Sequence, residues 1–443
     1  MANAREAALR TLVACQRQGA WSDGHLKKEI RSGGLDRRDA ALATRLCFGV
    51  LQNQLLLDWH LSRYSNTRLE KLDIPVLCSL RLALYQLLLM DRVPDSAAVN
   101  EAVKLTKKYS RNPRASGMVN AILRSFLRER DTLPQPQGGD WAETMSIRYS
   151  HPRWLIELFC EQLGQEGTEQ LLCADNEQPP TTAQVNRLRA TAEQARKSLA
   201  EQGVTALPHP WVPDCLELSG SGDLERLTAY QQGWFYIQDA AAKLSVMAAA
   251  PEPGQSVLDC CAAPGGKSFA AAIAMGGRGK IISCDIYPHK TALIENGAAR
   301  LGLTNITARQ QDASQVVPEW VGAMDTVIAD VPCSGLGIIR KKPDIRYKNL
   351  KELENLPALQ LKILETQASY VKPGGTLLYS TCTVLKRENE DVVSAFLAGH
   401  GAFITEPLPL PGVFPKNETG MLTLIPGEYD TDGFFICRLR RKA

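Results

Sequence analysis

Apolar residues recur at three- and four-residue spacing from Ala4 to about Glu129, as in Leu9, Leu12 and Val13, and this period predicts an all-α front. Helical runs centre on residues 40–59, 76–90, 97–109 and 116–127, separated by short polar or Pro-containing breaks, so five or six helices are expected. Residues 131–140 hold two prolines and two glycines among polar neighbours and cannot continue a helix. They place a linker over 131–144, at the end of a helical domain spanning 1–130.

Beyond the linker the pattern alternates. A helix near 152–163, a strand near 182–186, a helix near 192–202 and short strands to about Ile237 read as a small α+β domain over 145–240. From Ser256 onward short apolar strands alternate with helices, which predicts a parallel sheet covered on both faces and a Rossmann-like α/β domain over 241–443. The expected strands are 256–260, 280–285, 306–310, 326–330 and 376–381, with a hairpin over 421–439 after them.

Composition narrows the class. With 443 residues the chain is too long for one hydrophobic core, and 44% hydrophobic with 22% charged residues is ordinary for soluble domains. No stretch reaches the ~18 apolar residues of a membrane span; Arg81 and Gln86 interrupt the richest one. The N-terminus carries an acid and lacks the apolar run of a signal peptide, so a cytoplasmic protein with reduced cysteines is expected. Among the 12 cysteines no paired CxxC motifs or Cys/His clusters occur, so neither a metal site nor a disulfide framework is expected. The net charge of +3 conceals an asymmetry: residues 1–130 hold 22 Lys and Arg against 12 Asp and Glu, and the remainder is acidic. A front this basic suits a phosphate backbone.

Residues 257–268 read as a strand, a tight glycine turn (Gly265, Gly266) and the start of an alanine-rich helix. Glycine lets backbone approach a ligand, and the free N–H groups of a helix start favour a negative group. Asp285, 19 residues beyond Gly266 at the end of the next strand, is placed to accept from ribose hydroxyls. Gly266-Lys267-Ser268 resembles the end of a phosphate loop, but that motif needs glycine where Cys261 stands, which disfavours a nucleotide triphosphatase. The dinucleotide fingerprint is unmatched too, leaving a nicotinamide or flavin enzyme as the weaker alternative.

Two cysteines look chemical. Cys333, in Asp330-Val331-Pro332-Cys333-Ser334-Gly335, and Cys382, in Ser380-Thr381-Cys382-Thr383, close neighbouring strands and are expected over one crevice. Carbon 5 of cytosine is too electron-poor to attack a methyl sulfonium until a thiolate has added to carbon 6. Asp330 is the natural carboxyl to stabilise such an adduct, and a second thiol could serve as acid or base of the elimination.

These three motifs resemble, in order and spacing, those of the bacterial RsmB (Sun/Fmu) family of RNA cytosine-C5 methyltransferases, and the resemblance spans essentially the whole chain. It implies that Ala262, Ala263, Pro264, Gly265, Gly266, Lys267, Ser268, Asp285, Asp312 and Asp330 contact S-adenosylmethionine, with Asp312 near the adenine. It also makes Cys382 the nucleophile and gives Cys333 a part in product release, the reverse of the DNA cytosine enzymes. The front resembles the RNA-binding fold of NusB and the middle an RNA-recognition-like module; small-subunit (16S) ribosomal RNA is the implied partner of a monomer. Thr383 stands where the family usually has serine, and Arg387 where an acid often precedes Glu-Asn-Glu. The run Arg340-Lys341-Lys342, with Arg346 and Lys348, is expected to hold RNA phosphates beside the crevice. The competing readings are a noncatalytic ribosome-assembly factor, a tRNA methylase and a DNA cytosine methylase.

Overall fold

A computed structural model describes residues 3–414 and 418–443. It divides into two compact units, one comprising residues 1–176 with 341–348 and the other 177–340 with 349–443.

The first unit is helical: α1 (Ala4–Gln18), α2 (Ser22–Gly33), α3 (Arg37–Gln52), α4 (Gln54–Tyr64), α5 (Ile74–Leu89), α6 (Asp95–Tyr109), α7 (Ala115–Arg128), α8 (Trp141–Tyr149) and α9 (Arg153–Ala174). Helix α5 is apolar on every side and almost wholly buried, as its composition demands of a central helix. Around it Leu9, Leu46, Leu57, Leu123 and Phe126 close the core. Among the described residues seven α-helices precede residue 130 rather than five or six, and the run at 40–59 is two helices. Asn53 divides that run: its φ of −115° departs from the helix, and its side-chain amide donates to the Gly49 carbonyl at 2.9 Å, a second bond beside the one its own N–H makes there at 3.1 Å. Helix α8 begins at Trp141, capped by Asp140, whose Oδ1 accepts from the Glu143 N–H at 2.8 Å.

The second unit holds two sheets. Strands β1 (Thr181–Val185), β2 (Thr205–Pro208), β3 (Cys215–Ser219) and β4 (Phe235–Ile237) form an antiparallel sheet in the order β2-β3-β1-β4, with α10 (Ala192–Glu201) and the single turn α11 (Thr228–Gln231). The larger sheet comes after α12 (Ala240–Ala249). Its strands are β5 (Ser256–Asp259), β6 (Lys280–Asp285), β7 (Ile306–Gln310), β8 (Met324–Asp330), β9 (Val371–Thr381), β10 (Phe403–Thr405), β11 (Met421–Leu424) and β12 (Phe434–Arg441). They run β10-β12-β9-β8-β5-β6-β7, with β11 paired to β12. Between them lie α13 (Gly266–Ala274), α14 (Pro288–Leu301), α15 (Leu350–Leu353), α16 (Leu356–Ala368) and α17 (Glu390–Gly399).

The five strands β9-β8-β5-β6-β7 are parallel. Val327, Ile328 and Ala329 on β8 and Leu377, Leu378 and Tyr379 on β9 are buried without alternation, as expected when helices cover both faces. Strand order reverses between β5 and β8, and the carboxyl ends on either side of that switch point form the crevice such sheets use for ligands. The expected parallel strands are all present. Strand β9 starts five residues early, at Val371, and β10 had no sequence signal, being three residues long. Among the described residues no single helix is long and apolar enough to cross a membrane.

Candidate active site

Every residue assigned to the cofactor or the chemistry from the sequence lies at a carboxyl end of the parallel strands. Residues 262–268 come after β5, Asp285 ends β6, Asp312 lies just past β7, Asp330 ends β8 with Cys333 just beyond, and Cys382 comes directly after β9.

The glycine loop is built by sterics. Gly265 adopts φ +113°, and a Cβ there would meet the Phe269 ring at 2.3 Å, so only glycine fits. A Cβ on Gly266 would meet Gln238 Nε2 at 3.0 Å. Helix α13 then starts with no side-chain cap, leaving its first N–H groups directed at the crevice. Beneath the loop Ser268 donates to Asp259 Oδ2 at 2.7 Å and receives a bond from Ser283 at 2.7 Å, tying helix to β5 and β6. Burial pushes the Asp259 carboxyl up to about 7, against the opposing Ser268 bond and Lys267 charge. Asp285 accepts from the Tyr287 N–H at 3.1 Å, and Asp312 Oδ1 accepts from both the N–H (2.9 Å) and the hydroxyl (2.8 Å) of Ser314. These turns hold both carboxyls at their strand ends.

Lys267 leaves the loop and reaches the reacting end of the site. It is 9% exposed; its Nζ lies 2.6 Å from Asp330 Oδ2 and 5.1 Å from the centre of the Phe434 ring. Burial opposes its charge, but the negative charges of Asp330, Asp259 and Cys382 outweigh burial and hold the ammonium above its ordinary value. Asp330 Oδ1 accepts a second bond from the Ser380 hydroxyl at 2.8 Å.

The two thiols meet: Cys333 Sγ and Cys382 Sγ are 3.1 Å apart, and both residues are half-buried. The hydrogen bond with Cys382, burial and the nearby negative charges of Cys382, Glu388 and Asp330 push the Cys333 thiol well above its ordinary value. Among the described residues no group of three or more His, Cys, Asp or Glu is arranged to hold a metal ion.

Of the basic run after β8, the two arginines are buried and do not join the expected phosphate surface. Arg340 is buried, its Nε 3.0 Å from Asp432 Oδ1 and its Nη1 3.9 Å from Asp430. Arg346 is 0% exposed and belongs to the helical unit, where Nη1 donates to the carbonyls of Gln52 (2.8 Å) and Ser150 (3.2 Å) and to Asn176 Oδ1 (3.1 Å). Guanidinium is consumed by internal acceptors; in this run only Lys342 is exposed. Sequence reading also missed Gln360, Glu388 and Asn389, buried side chains bonded around the two cysteines. They come from other elements, and spacing along the chain carries no sign of that proximity.

Known proteins share this architecture along its whole length. Residues 246–440 match the family described as 16S rRNA methyltransferase RsmB/F, residues 2–128 the NusB family, and residues 151–225 the RsmF/B-like ferredoxin-like domain. The "Probable ribosomal RNA small subunit methyltransferase B" of Bacillus subtilis (strain 168) is 35% identical over 99% of this chain and 98% of its own. The "Ribosomal RNA small subunit methyltransferase B" of Erwinia tasmaniensis is 32% identical over 99% of each. The crystal structure of PH0851 superposes with a TM-score of 0.83 at 26% identity, covering 98% of both chains. A methyltransferase homolog from Pyrococcus horikoshii covers 67% of this chain and 97% of its own, with a TM-score of 0.58 at 25% identity. With a NusB-like helical domain, a ferredoxin-like middle domain and a C-terminal methyltransferase domain in register with these relatives from end to end, the chain belongs to the RsmB family of ribosomal RNA small-subunit methyltransferases.

Proposed function

We propose that the protein methylates carbon 5 of a cytosine in small-subunit (16S) ribosomal RNA, using S-adenosylmethionine and a covalent bond between Cys382 and carbon 6 of the base. The observation that carries this reading is the pair of thiols 3.1 Å apart beside Asp330 and Lys267. A methylase acting on an already nucleophilic atom needs neither thiol.

The cofactor pocket fits. The uncapped start of α13 offers N–H groups to a carboxylate, Gly265 makes the tight turn before it at φ +113°, and Asp285 and Asp312 are held by their own turns at the next two strand ends. Ala262 to Ser268, Asp285, Asp312 and Asp330 are the residues assigned to it. When bound, S-adenosylmethionine supplies an electrophilic methyl group.

The chain's own residues divide the remaining work. Cys382, as thiolate, adds to carbon 6, and the buried Lys267 ammonium favours that negative charge. Asp330, held by Lys267 and Ser380, is assigned to the amino group, whose N–H it accepts, while a proton from solvent neutralises the ring nitrogen as the thiolate adds and returns to solvent at release. Once carbon 5 is methylated, a solvent water takes its proton, the freed electron pair forms the carbon 5–carbon 6 double bond, and the carbon 6–sulfur pair returns to Cys382. Cys333, its sulfur 3.1 Å from that of Cys382, is assigned to this release as the acid that gives the departing Cys382 sulfur a proton.

Transfer of labelled methyl from S-adenosylmethionine to unmodified small-subunit ribosomal RNA, with base analysis of the product, tests the reading. Wild type is expected to give 5-methylcytosine, Cys382→Ala no product, and Cys333→Ala an accumulating protein–RNA adduct. An active Cys382→Ala enzyme overturns the nucleophile assignment. Label on another base overturns the chemistry.

A further inference from the structure

The strands that carry the two thiols stop short of them. The last β8–β9 pair is Asp330 with Ser380, and beyond it lies one further bond, from the Val331 N–H to the Ser380 carbonyl. Cys333 therefore lies in irregular backbone, and Cys382 lies just past the Thr381–Phe435 pair of β9 and β12, its carbonyl accepting from the Gly337 N–H at 3.0 Å; no β8–β9 ladder bond reaches either cysteine. Two consecutive buried residues take over.

Glu388 accepts at Oε2 from the Ser334 N–H (2.8 Å) and from Gln360 Nε2 (2.9 Å), and the same Gln360 nitrogen donates to the Pro332 carbonyl at 3.0 Å. Pro332 and Ser334 are the two neighbours of Cys333. Asn389 accepts at Oδ1 from the Thr381 hydroxyl (2.6 Å) and donates from Nδ2 to the Thr383 carbonyl (3.0 Å). Thr381 and Thr383 are the two neighbours of Cys382. The hydroxyls of Ser334 and Thr383, 2.8 Å apart, join the loops, and the Tyr379 hydroxyl fixes the Glu388 carbonyl at 2.6 Å. Glu388, Asn389 and Gln360 are all 0% exposed. Burying a carboxyl and two amides costs free energy that apolar residues in the same space would not, so what they contribute is direction.

We propose that Glu388 and Asn389 are positioning residues that aim the two thiols separately, Glu388 acting with Gln360 on Cys333 and Asn389 on Cys382. The inference rests on the division of labour between the thiols given above. It assigns the formation step to the Asn389 bonds and the release step to the Glu388 bonds, so one short segment sets both halves of the cycle.

The test uses the full-length protein with S-adenosylmethionine and two forms of small-subunit ribosomal RNA. RNA containing 5-fluorocytidine cannot lose the carbon-5 substituent as a proton, so the rate of denaturation-stable complex on it reads adduct formation. Complex accumulating on unmodified RNA reads slow release. Asn389→Ala and Asn389→Asp are expected to slow formation about 10- to 100-fold, the usual effect of misplacing a reacting group by about 1 Å, and to leave no accumulated complex. Glu388→Ala and Gln360→Met are expected to form the adduct at the wild-type rate and to accumulate it on unmodified RNA. Glu388→Gln keeps an oxygen at the Oε2 position and is expected to release normally. Iodoacetamide labelling with peptide mapping supplies a readout without RNA: Asn389→Ala should change the alkylation rate of Cys382, and Gln360→Met that of Cys333. Gln360→Met tests the Cys333 arm if Glu388→Ala does not fold.

Equal losses in both steps for both sets of variants, or variants that fold and turn over like wild type, overturn the proposal. Failure of the underlying reading looks different: wild type then forms no complex with 5-fluorocytidine RNA, or Cys382→Ala still forms one.

Discussion

Lys267 Nζ lies 2.6 Å from Asp330 Oδ2, in a position where the ammonium is nearly enclosed and the carboxylate only partly so. Removing one member of a buried pair strands the other charge, whereas removing both does not. Asp330→Asn and Lys267→Met are each expected to cost about 2–4 kcal/mol of unfolding free energy. The double variant Lys267→Met/Asp330→Asn should cost less than the sum of the two by more than about 1 kcal/mol. Urea unfolding of the four proteins measures this. Additive losses would show that the two side chains do not depend on each other.

Gly265 adopts φ +113° against the Phe269 ring. Gly265→Ala adds strain of about 1–3 kcal/mol and pushes the ring or the loop aside. The expected outcome is a fall in S-adenosylmethionine affinity of at least about tenfold by calorimetry, since about 1.4 kcal/mol of loop distortion is worth that factor. Phe269→Leu combined with Gly265→Ala should recover part of the loss by opening the ring's space. No recovery would place the cost in the backbone angle alone.

The site was legible where its chemistry is contiguous in sequence. Residues 262–268, 330–335 and 380–383 each carry a strand end and its reactive turn within a few positions, so period and motif together placed Cys333 and Cys382 over one crevice, as found. Legibility failed where a role depends on partners from other elements. Lys267 was legible as a loop residue but not as the partner of Asp330, 63 residues away. Gln360 looks like an ordinary polar residue of a helix, and Glu388 and Asn389 carry no assigned role in the sequence beyond the Glu-Asn-Glu run, until the fold brings all three to the thiols. Arg346 was read with its lysine neighbours as a phosphate-holding run because charge in a loop normally faces outward; its burial comes from acceptors contributed by Gln52, Ser150 and Asn176. Asn53 divides one apolar run into two helices at a non-helical backbone angle that hydrophobic period does not register.

That burial makes Arg346 a stability residue. Its guanidinium donates to three carbonyls or amide oxygens within 3.2 Å and to the Tyr149 and Asp175 carbonyls at 3.4 Å, and its burial pulls its ionisation below the ordinary arginine value. Lysine presents one nitrogen where these acceptors need a fork. Arg346→Lys and Arg346→Met are each expected to lower unfolding free energy by about 2–5 kcal/mol, whereas Lys342→Ala, an exposed neighbour, should stay within about 0.5 kcal/mol. A fragment ending at Asn176 lacks Arg346 and should melt well below the helical domain of the full chain. Equal melting of the two would show that the 341–348 segment is dispensable to that fold.

Asp259 gives stability a pH dependence of definite sign. Its carboxyl is raised from 3.8 to about 7 in the folded chain, chiefly by burial, so the folded state holds this proton more tightly than the unfolded state. The contribution is fully present below about pH 4 and is lost as pH rises through about 7. Asp259→Asn retains an oxygen for the Ser268 hydroxyl, 2.7 Å away, and has no proton to lose. The variant should therefore gain melting temperature relative to wild type between about pH 4 and about pH 8, with the change centred between about 4 and 7, while other groups cancel in the difference. A wild-type minus variant difference that stays flat across this range would mean that Asp259 is ionised in the fold at all these pH values, its charge held by Ser268 and Lys267 rather than suppressed by burial.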